Sequence, residues 1–149
     1  MNKDIVIFDL DGTLALIEAR RALAAKPDGK INWKTFFDPE NIKLDLPNAP
    51  VITAFKAFAE QGFKMVILSG RDSISRAETR QWLKDNDIHP DILWMRPQGS
   101  FTPDDVLKRT WLDELGADNV FCVFDDRDKV VQMWRNNGLT CFQVAPGNF

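Results

Sequence analysis

Histidine occurs once in this 149-residue chain and cysteine twice. The lone His89 stands before Pro90 in a turn-like stretch. With no second histidine, a two-histidine metal site is excluded and histidine-driven catalysis is a poor reading, so His89 reads as a surface loop residue. Cys122 and Cys141 sit in apolar, strand-like runs without C-x-x-C spacing. That pattern argues for buried thiols and against a disulfide or a zinc site. No run of 18 apolar residues is present, so no membrane-spanning helix is expected. The apolar start lacks a basic flank and a cleavage site, so no secretory signal is expected and the chain reads as cytoplasmic. A net charge of −3 excludes broad, sequence-independent coating of nucleic acid but leaves room for a local basic pocket. There is no internal repeat, low-complexity tract or heptad run. The 44% hydrophobic and 28% charged composition is that of a globular protein. Its length suggests one domain over residues 1–149 with one real core.

What is present is concentrated in residues 4–14, Asp-Ile-Val-Ile-Phe-Asp-Leu-Asp-Gly-Thr-Leu. A short β-branched apolar run reads as a buried strand, and Gly12 as its stop. Asp9 and Asp11 lie at its mouth. Two carboxylates there are electrostatically costly unless something positive sits between them. A hard divalent cation with oxygen ligands, Mg²⁺, answers that cost. The structural alternative is a strand that merely ends in a polar turn.

The rest of the chain alternates strands and helices. Strands are expected at 4–8, 63–68, 92–95, 119–124 and 140–144, and helices at about 49–61, 75–87, 103–115 and 129–137. The second strand is expected to stop at Ser69-Gly70-Arg71. Ser75-x-x-Glu78 has the spacing of a capping box, and Thr102-Pro103 that of an N-cap followed by proline at N1. Near-continuous apolar strands separated by helices imply an α/β fold, a Rossmann-like, mostly parallel sheet with helices on both faces. Residues 15–47 interrupt this rhythm, with short helices near 15–24 and 33–37, and read as a small cap-like insertion over the site. Arg20, Arg21, Lys26 and Lys30 within it read as a solvated helix face or, alternatively, a basic face for substrate.

In such a sheet ligands bind beyond the C-terminal ends of the strands. Those ends carry Asp9 and Asp11, then Ser69, Gly70 and Arg71, then Asp125 and Asp126, while the preceding helix brings Lys108. This is equipment for phosphoryl transfer. A carboxylate can attack phosphorus, and a second carboxyl can protonate the leaving oxygen. A divalent ion offsets repulsion between an anionic nucleophile and an anionic ester. Lysine, hydroxyl and backbone N–H groups stabilise charge on the phosphoryl oxygens. Each piece alone has a plainer reading: Lys108 as a solvated helix residue, Ser69-Gly70-Arg71 as a turn, Asp125-Asp126 as a helix cap, Arg127 as a partner of the acids, Trp134 as packing. Only the joint order is specific.

That order resembles the haloacid dehalogenase superfamily of Mg²⁺-dependent phosphotransferases. The resemblance implies Asp9 as nucleophile and Asp11 as general acid that also lends a backbone carbonyl to the metal. It implies Ser69 as the phosphate-binding hydroxyl, Lys108 as the residue that steadies an aspartyl-phosphate, and Asp125 and Asp126 as metal-holding acids. Within the superfamily the chain is similar to the 3′-phosphatase domain of bacteriophage polynucleotide kinase/phosphatase. That similarity is carried by Ser69-Gly70-Arg71, Arg96 with Gln98-Gly99, Asp104-Asp105-Val106 before Lys108, Asp125-Asp126-Arg127, and Val130-Val131-Gln132-Met133-Trp134-Arg135. It implies that Arg71 contacts substrate and that Arg96 and Gln98 lie near the site. The implied substrate is a phosphorylated nucleic acid 3′ end or a nucleotide. No GxxxxGK[ST] occurs, so a kinase domain is absent from this chain. The alternatives are a phosphatase of small metabolites and a non-catalytic, receiver-like phospho-signalling module. Receivers carry the acidic pair on the first strand and the phospho-acceptor on a middle one, and here a middle strand ends in Ser69.

Overall fold

A computed structural model describes residues 3–149. Strand β1, Ile5–Phe8, is buried on both sides. Val6 and Phe8 join one apolar cluster and Ile5 and Ile7 the other, as alternating strand residues must. The insertion follows: β2 (Ala15–Leu16), helix α1 (Glu18–Ala24), helix α2 (Trp33–Phe36), a 3₁₀ turn at Pro39–Leu44, and β3 (Leu46–Pro47), which pairs antiparallel with β2. Next come α3 (Ala49–Glu60), β4 (Lys64–Asp72), α4 (Arg76–Asp85), β5 (Ile92–Arg96), α5 (Asp104–Leu115), β6 (Val120–Asp125), α6 (Asp128–Asn136) and β7 (Cys141–Gln143).

The main sheet has the order β5-β4-β1-β6-β7, with every pairing parallel. The expected α/β sheet is therefore present. Helices α3 and α4 cover the face that holds Phe55 and Leu83, and α5 and α6 cover the face that holds Leu112 and Trp134. The chain runs outward from β1 through β4 to β5, then returns to the other side of β1 for β6. That reversal opens a crevice at the β1 and β6 ends, the place where such sheets bind ligands. Cys122 and Cys141 are buried thiols whose pKa values burial pushes up to about 11 and about 12.

Three local expectations are corrected. Strand β4 does not stop at Ser69 but runs through Gly70 and Arg71 to Asp72, with its register to β5 shifting between Ser69 and Asp72. The strand continues because Arg71 is held by buried partners rather than released into a turn. Ser75 does not form a capping box, since its hydroxyl donates to the Asp72 carbonyl at 3.1 Å and its side chain caps no helix N–H. Helix α5 begins one residue later than Thr102-Pro103 suggests, with Pro103 in the capping position and no side-chain cap.

Candidate active site

The β1 end is shaped by a turn in which Gly12 takes φ +80°. A Cβ at Gly12 would run into the Asp126 carboxylate, so the glycine is needed both for backbone conformation and for close approach. The turn brings Asp9 beside Asp125 and Asp126, which leave the end of β6. Asp9, Asp125 and Asp126 each offer a carboxylate oxygen within 4.8 Å of the others, and all three are buried. Lys108 lies one turn into α5 and is fully enclosed. Its Nζ donates to Asp9 Oδ1 at 2.8 Å and to Asp125 Oδ2 at 3.1 Å. Thr13 Oγ1 donates to Asp9 Oδ2 at 3.0 Å, and Trp134 Nε1 to Asp125 Oδ2 at 3.1 Å.

The electrostatics follow from this crowding. Burial, then the charge of Asp125, holds the Asp9 carboxyl well above the usual carboxylate range despite Lys108. Burial likewise pushes Asp126 up to about 6. For Lys108, burial favours the neutral amine, but Asp125 and Asp9 outweigh it and the pKa rises. Three acids against one ammonium leave negative charge that one more cation would offset, and acid oxygens at this spacing suit a hard ion.

Asp11 sits in different company. Its Oδ1 accepts from Arg20 Nη2 at 2.7 Å, Arg71 Nη2 at 2.6 Å and Arg71 Nε at 3.1 Å. Both guanidinium groups also reach Asp45 Oδ2, from Arg20 at 2.9 Å and Arg71 at 2.8 Å, and Arg20 Nε donates to Asp45 Oδ1 at 3.0 Å. Burial alone would raise the Asp11 pKa, but Arg71 and then Arg20 pull it well below the usual range. Trp82 Nε1 donates to the Asp45 carbonyl at 3.0 Å, which fastens the end of the insertion to α4.

A third set of contacts stitches the rim. Arg96 Nε donates to the Gly70 carbonyl at 2.8 Å, and its other nitrogens reach the Thr102 carbonyl and the Asp104 carboxylate. Arg127 Nη1 takes the second Asp104 oxygen at 3.1 Å. A Cβ at Gly70 would strike that same Asp104 carboxylate, so Gly70 lets the β4 backbone pass close to it.

Of the residues singled out from sequence, Asp9, Asp11, Gly70, Arg96, Lys108, Asp125 and Asp126 line one cleft of about 580 Å³. Ser69 lies beneath it, fully buried, with Oγ accepting from the Arg71 backbone N–H at 3.1 Å. Arg71 is also fully buried, its guanidinium shared among Asp11, Asp45 and Thr79. Gln98 is exposed in the β5–α5 loop and is not among the lining residues. Arg20 corrects the expectation of a solvated or basic helix face: it is entirely buried and ion-paired, while Arg21, Lys26 and Lys30 are exposed. Asp125 and Asp126 do not cap α6, whose N-cap position is Arg127 without a side-chain cap. Sequence reasoning missed Asp45, Thr13 and Trp134 as site residues. Thr13 and Trp134 left a trace, the first at the end of the Asp-Leu-Asp-Gly-Thr stretch and the second on the apolar stripe of α6, whereas Asp45 left none.

A Rossmann-like sheet with paired acids at the ends of β1 and β6 and a helix-borne lysine between them defines a haloacid dehalogenase-type phosphatase. The comparisons agree. The family model of the polynucleotide kinase PNKP phosphatase domain matches residues 3–149, and the chain belongs to that family. It is 35% identical over 146 residues to a protein of Autographa californica nuclear polyhedrosis virus that carries the name bifunctional polynucleotide kinase/RNA ligase. That match covers 94% of this chain and 19% of the viral protein. A chain of the Pnkp1/Rnl/Hen1 RNA repair complex superimposes with a TM-score of 0.80 at 34% identity, over 97% of this chain and 43% of that one. A haloacid dehalogenase-like hydrolase of Streptococcus pneumoniae shares the fold, with a TM-score of 0.68 at 13% identity over 94% of this chain and 83% of that one. The chain thus spans less than half the length of the relatives that resemble it in sequence. Among the described residues no helix is long and apolar enough to cross a membrane.

Proposed function

We propose that residues 1–149 form one Mg²⁺-dependent phosphomonoesterase unit, with 15–47 as an insertion over the site, that removes 3′-phosphates from nucleic acid ends through an aspartyl-phosphate on Asp9. The observation that carries the reading is the Asp9 carboxylate, held between Lys108 Nζ and Thr13 Oγ1 and facing an otherwise under-compensated acid pair. Asp9, Asp125 and Asp126, with the backbone carbonyl of Asp11, are the residues that would hold Mg²⁺, which when bound would supply positive charge between the carboxylates and an anionic ester. The family and the relatives named for polynucleotide kinase, RNA ligase and RNA repair support a nucleic acid end as substrate.

The chain's own residues divide the work in two halves. In the first, an Asp9 oxygen bonds to phosphorus as the P–O bond to the 3′ carbon's oxygen breaks, and Asp11 gives its proton to that oxygen. In the second, Asp11 takes a proton from water as the water oxygen attacks phosphorus, and the Asp9–phosphorus bond breaks to release phosphate. Lys108 stays charged throughout and neutralises the developing phosphoryl charge. Arg20 and Arg71 hold Asp11 in its carboxylate form, ready for the second half. An incoming phosphate dianion pushes the Asp11 pKa the other way and so favours the acid form needed first.

The test is phosphate release, with Mg²⁺, from a 3′-phosphorylated oligonucleotide, a 5′-phosphorylated one, 3′-mononucleotides and glycerol phosphate, with Asp9→Asn as blank. Strong preference for the 3′-phosphorylated strand supports the reading. Equal or better turnover of the small esters moves the function to metabolite dephosphorylation, and phosphate release by Asp9→Asn removes Asp9 from its role.

A further inference from the structure

The cleft has a second character above its acidic floor. Trp33 stands on α2 with half its surface in solvent, and it lines the cleft. Its ring is fixed from behind, stacked on Phe37 at a centroid distance of 5.6 Å and 24° and set edge-on to Phe36 at 5.5 Å. The short helix is itself anchored by Asn32 Oδ1, which accepts from the Thr35 N–H at 3.2 Å. From a different segment, the β5–α5 loop, Phe101 lines the same cleft with 87% of its surface exposed. From a third, the tail, Phe149 lines it beneath the Arg21 guanidinium, which lies 4.6 Å from the ring centroid. Arg21 is exposed and forms no ion pair among the described residues.

Exposed tryptophan and phenylalanine carry a standing cost in water, and three segments contribute to this rim. Packing on Phe36 and Phe37 accounts for one side of Trp33 but not for its solvent-facing half, and Phe101 and Phe149 belong to neither buried cluster. Planar faces beside an unpaired guanidinium fit a ligand that is itself planar and anionic. In the same cleft as a site for a phosphate ester, that description fits the unpaired bases and linking phosphates of a single strand.

We propose that Trp33, with Phe101 and Arg21 lining the same cleft, is a stacking site for the unpaired bases adjoining the 3′-phosphate. The proposal rests on the reading of the substrate as a nucleic acid end. It makes the insertion a selector of frayed or single-stranded ends by base faces, without sequence preference, because every base presents an aromatic face.

The experiment measures binding, so that chemistry and recognition are read separately. A dye-labelled, 3′-phosphorylated single strand is titrated with the Asp9→Asn chain by fluorescence anisotropy. A second strand of equal length has its last two nucleotides abasic. In the Asp9→Asn background, Trp33→Ala weakens binding of the base-bearing strand by roughly 5- to 100-fold. Trp33→Phe retains most of the affinity, and Phe101→Ala, at a position with almost no packing to lose, weakens binding in the same direction. The abasic strand binds weakly from the start and ignores Trp33→Ala. Unchanged affinity in both alanine variants, equal losses for the two strands, or no binding of either strand overturns the proposal. Turnover of the same strand by the unsubstituted chain is scored alongside. Failure of the phosphatase reading then shows as base-dependent binding without phosphate release, and failure of the stacking site as release without base-dependent binding.

Discussion

Two buried charge clusters meet at the end of β1, two residues apart, and they are balanced in opposite ways. Asp9 shares its surroundings with Asp125, Asp126 and one cation, Lys108. Asp11 shares Arg20 and Arg71 with Asp45, so two acids face two guanidinium groups. The first cluster is short of positive charge and the second is complete. Hence burial and like charge lift Asp9, whereas arginine pairing depresses Asp11. Each shift opposes the role proposed for that residue, since a nucleophile must be ionised and a general acid protonated. The partners that oppose them have opposite sign: a cation for Asp9, a phosphate dianion for Asp11. An open cluster awaits ligands, and a closed one positions them.

The comparison breaks most sharply at Asp9. Asp9→Asn is nearly isosteric but a far poorer nucleophile, and turnover is expected to fall by on the order of 10⁴-fold or more. The same substitution removes one of three crowded carboxylates, so thermal unfolding in EDTA is expected at an unchanged or higher temperature. A large loss of stability would show that the first cluster is as self-sufficient as the second.

In the closed cluster the order of effects is reversed. Asp45→Asn leaves two buried guanidinium groups sharing one carboxylate, and breaking a buried pair costs about 3–5 kcal/mol. At this chain length that corresponds to a fall in Tm of roughly 6–20 °C. Calorimetry checks it, and a shift of about a degree would mean that Asp11 alone satisfies both arginines.

Proton linkage separates Asp11 from Asp9 and Asp126 without mutation, while Asp45, raised by burial against its two arginines, titrates in the direction of the open cluster. Asp126, with a pKa near 6, and Asp9, shifted in the same direction, hold protons in the folded state that the unfolded chain releases near 4. For Asp126 the folded state binds more protons between those values, so metal-free stability falls as pH rises through about 4 to 6, and Asp9 acts in the same direction. Asp11 has the opposite sign: its contribution is full above the unfolded value and is lost only as pH falls through its depressed folded value. Mg²⁺ is therefore expected to raise Tm more at pH 7.5 than at pH 5, its total stabilisation being about 2.7 kcal/mol where its concentration is a hundred times its Kd. Equal Mg²⁺ shifts at the two pH values would detach the metal from Asp9 and Asp126.

Much of the open cluster could be read from the sequence, because its members follow strands whose apolar runs announce their ends. Asp9, Asp125 and Asp126 each stand at or just past the end of such a run, and a parallel sheet sends those ends to one edge. The closed cluster could not be read this way. Arg20 looks like any cation on a helix surface, and nothing local shows that its helix α1 lies with that side against Asp11. Asp45 follows an irregular stretch with no periodicity to place it. Arg71 looked like part of a turn because Gly70 precedes it, yet the strand continues through both to deliver the guanidinium inward. Residues that recur at strand ends are visible from spacing, whereas residues that complete a charge balance across an insertion become visible only in three dimensions.

The mildest test concerns how the insertion is fastened. Trp82→Phe keeps an aromatic ring on α4 but removes the N–H that reaches the Asp45 carbonyl. The carbonyl is neutral, so the loss is that of one buried hydrogen bond, about 1–3 kcal/mol, rather than of an unpaired charge. Urea denaturation should place Trp82→Phe between the unsubstituted chain and Asp45→Asn. If it costs as much as Asp45→Asn, packing against α4 holds this region and the charge balance is secondary. If it costs nothing while Asp45→Asn is severe, the two arginines alone fix Asp45, and through it the end of the insertion.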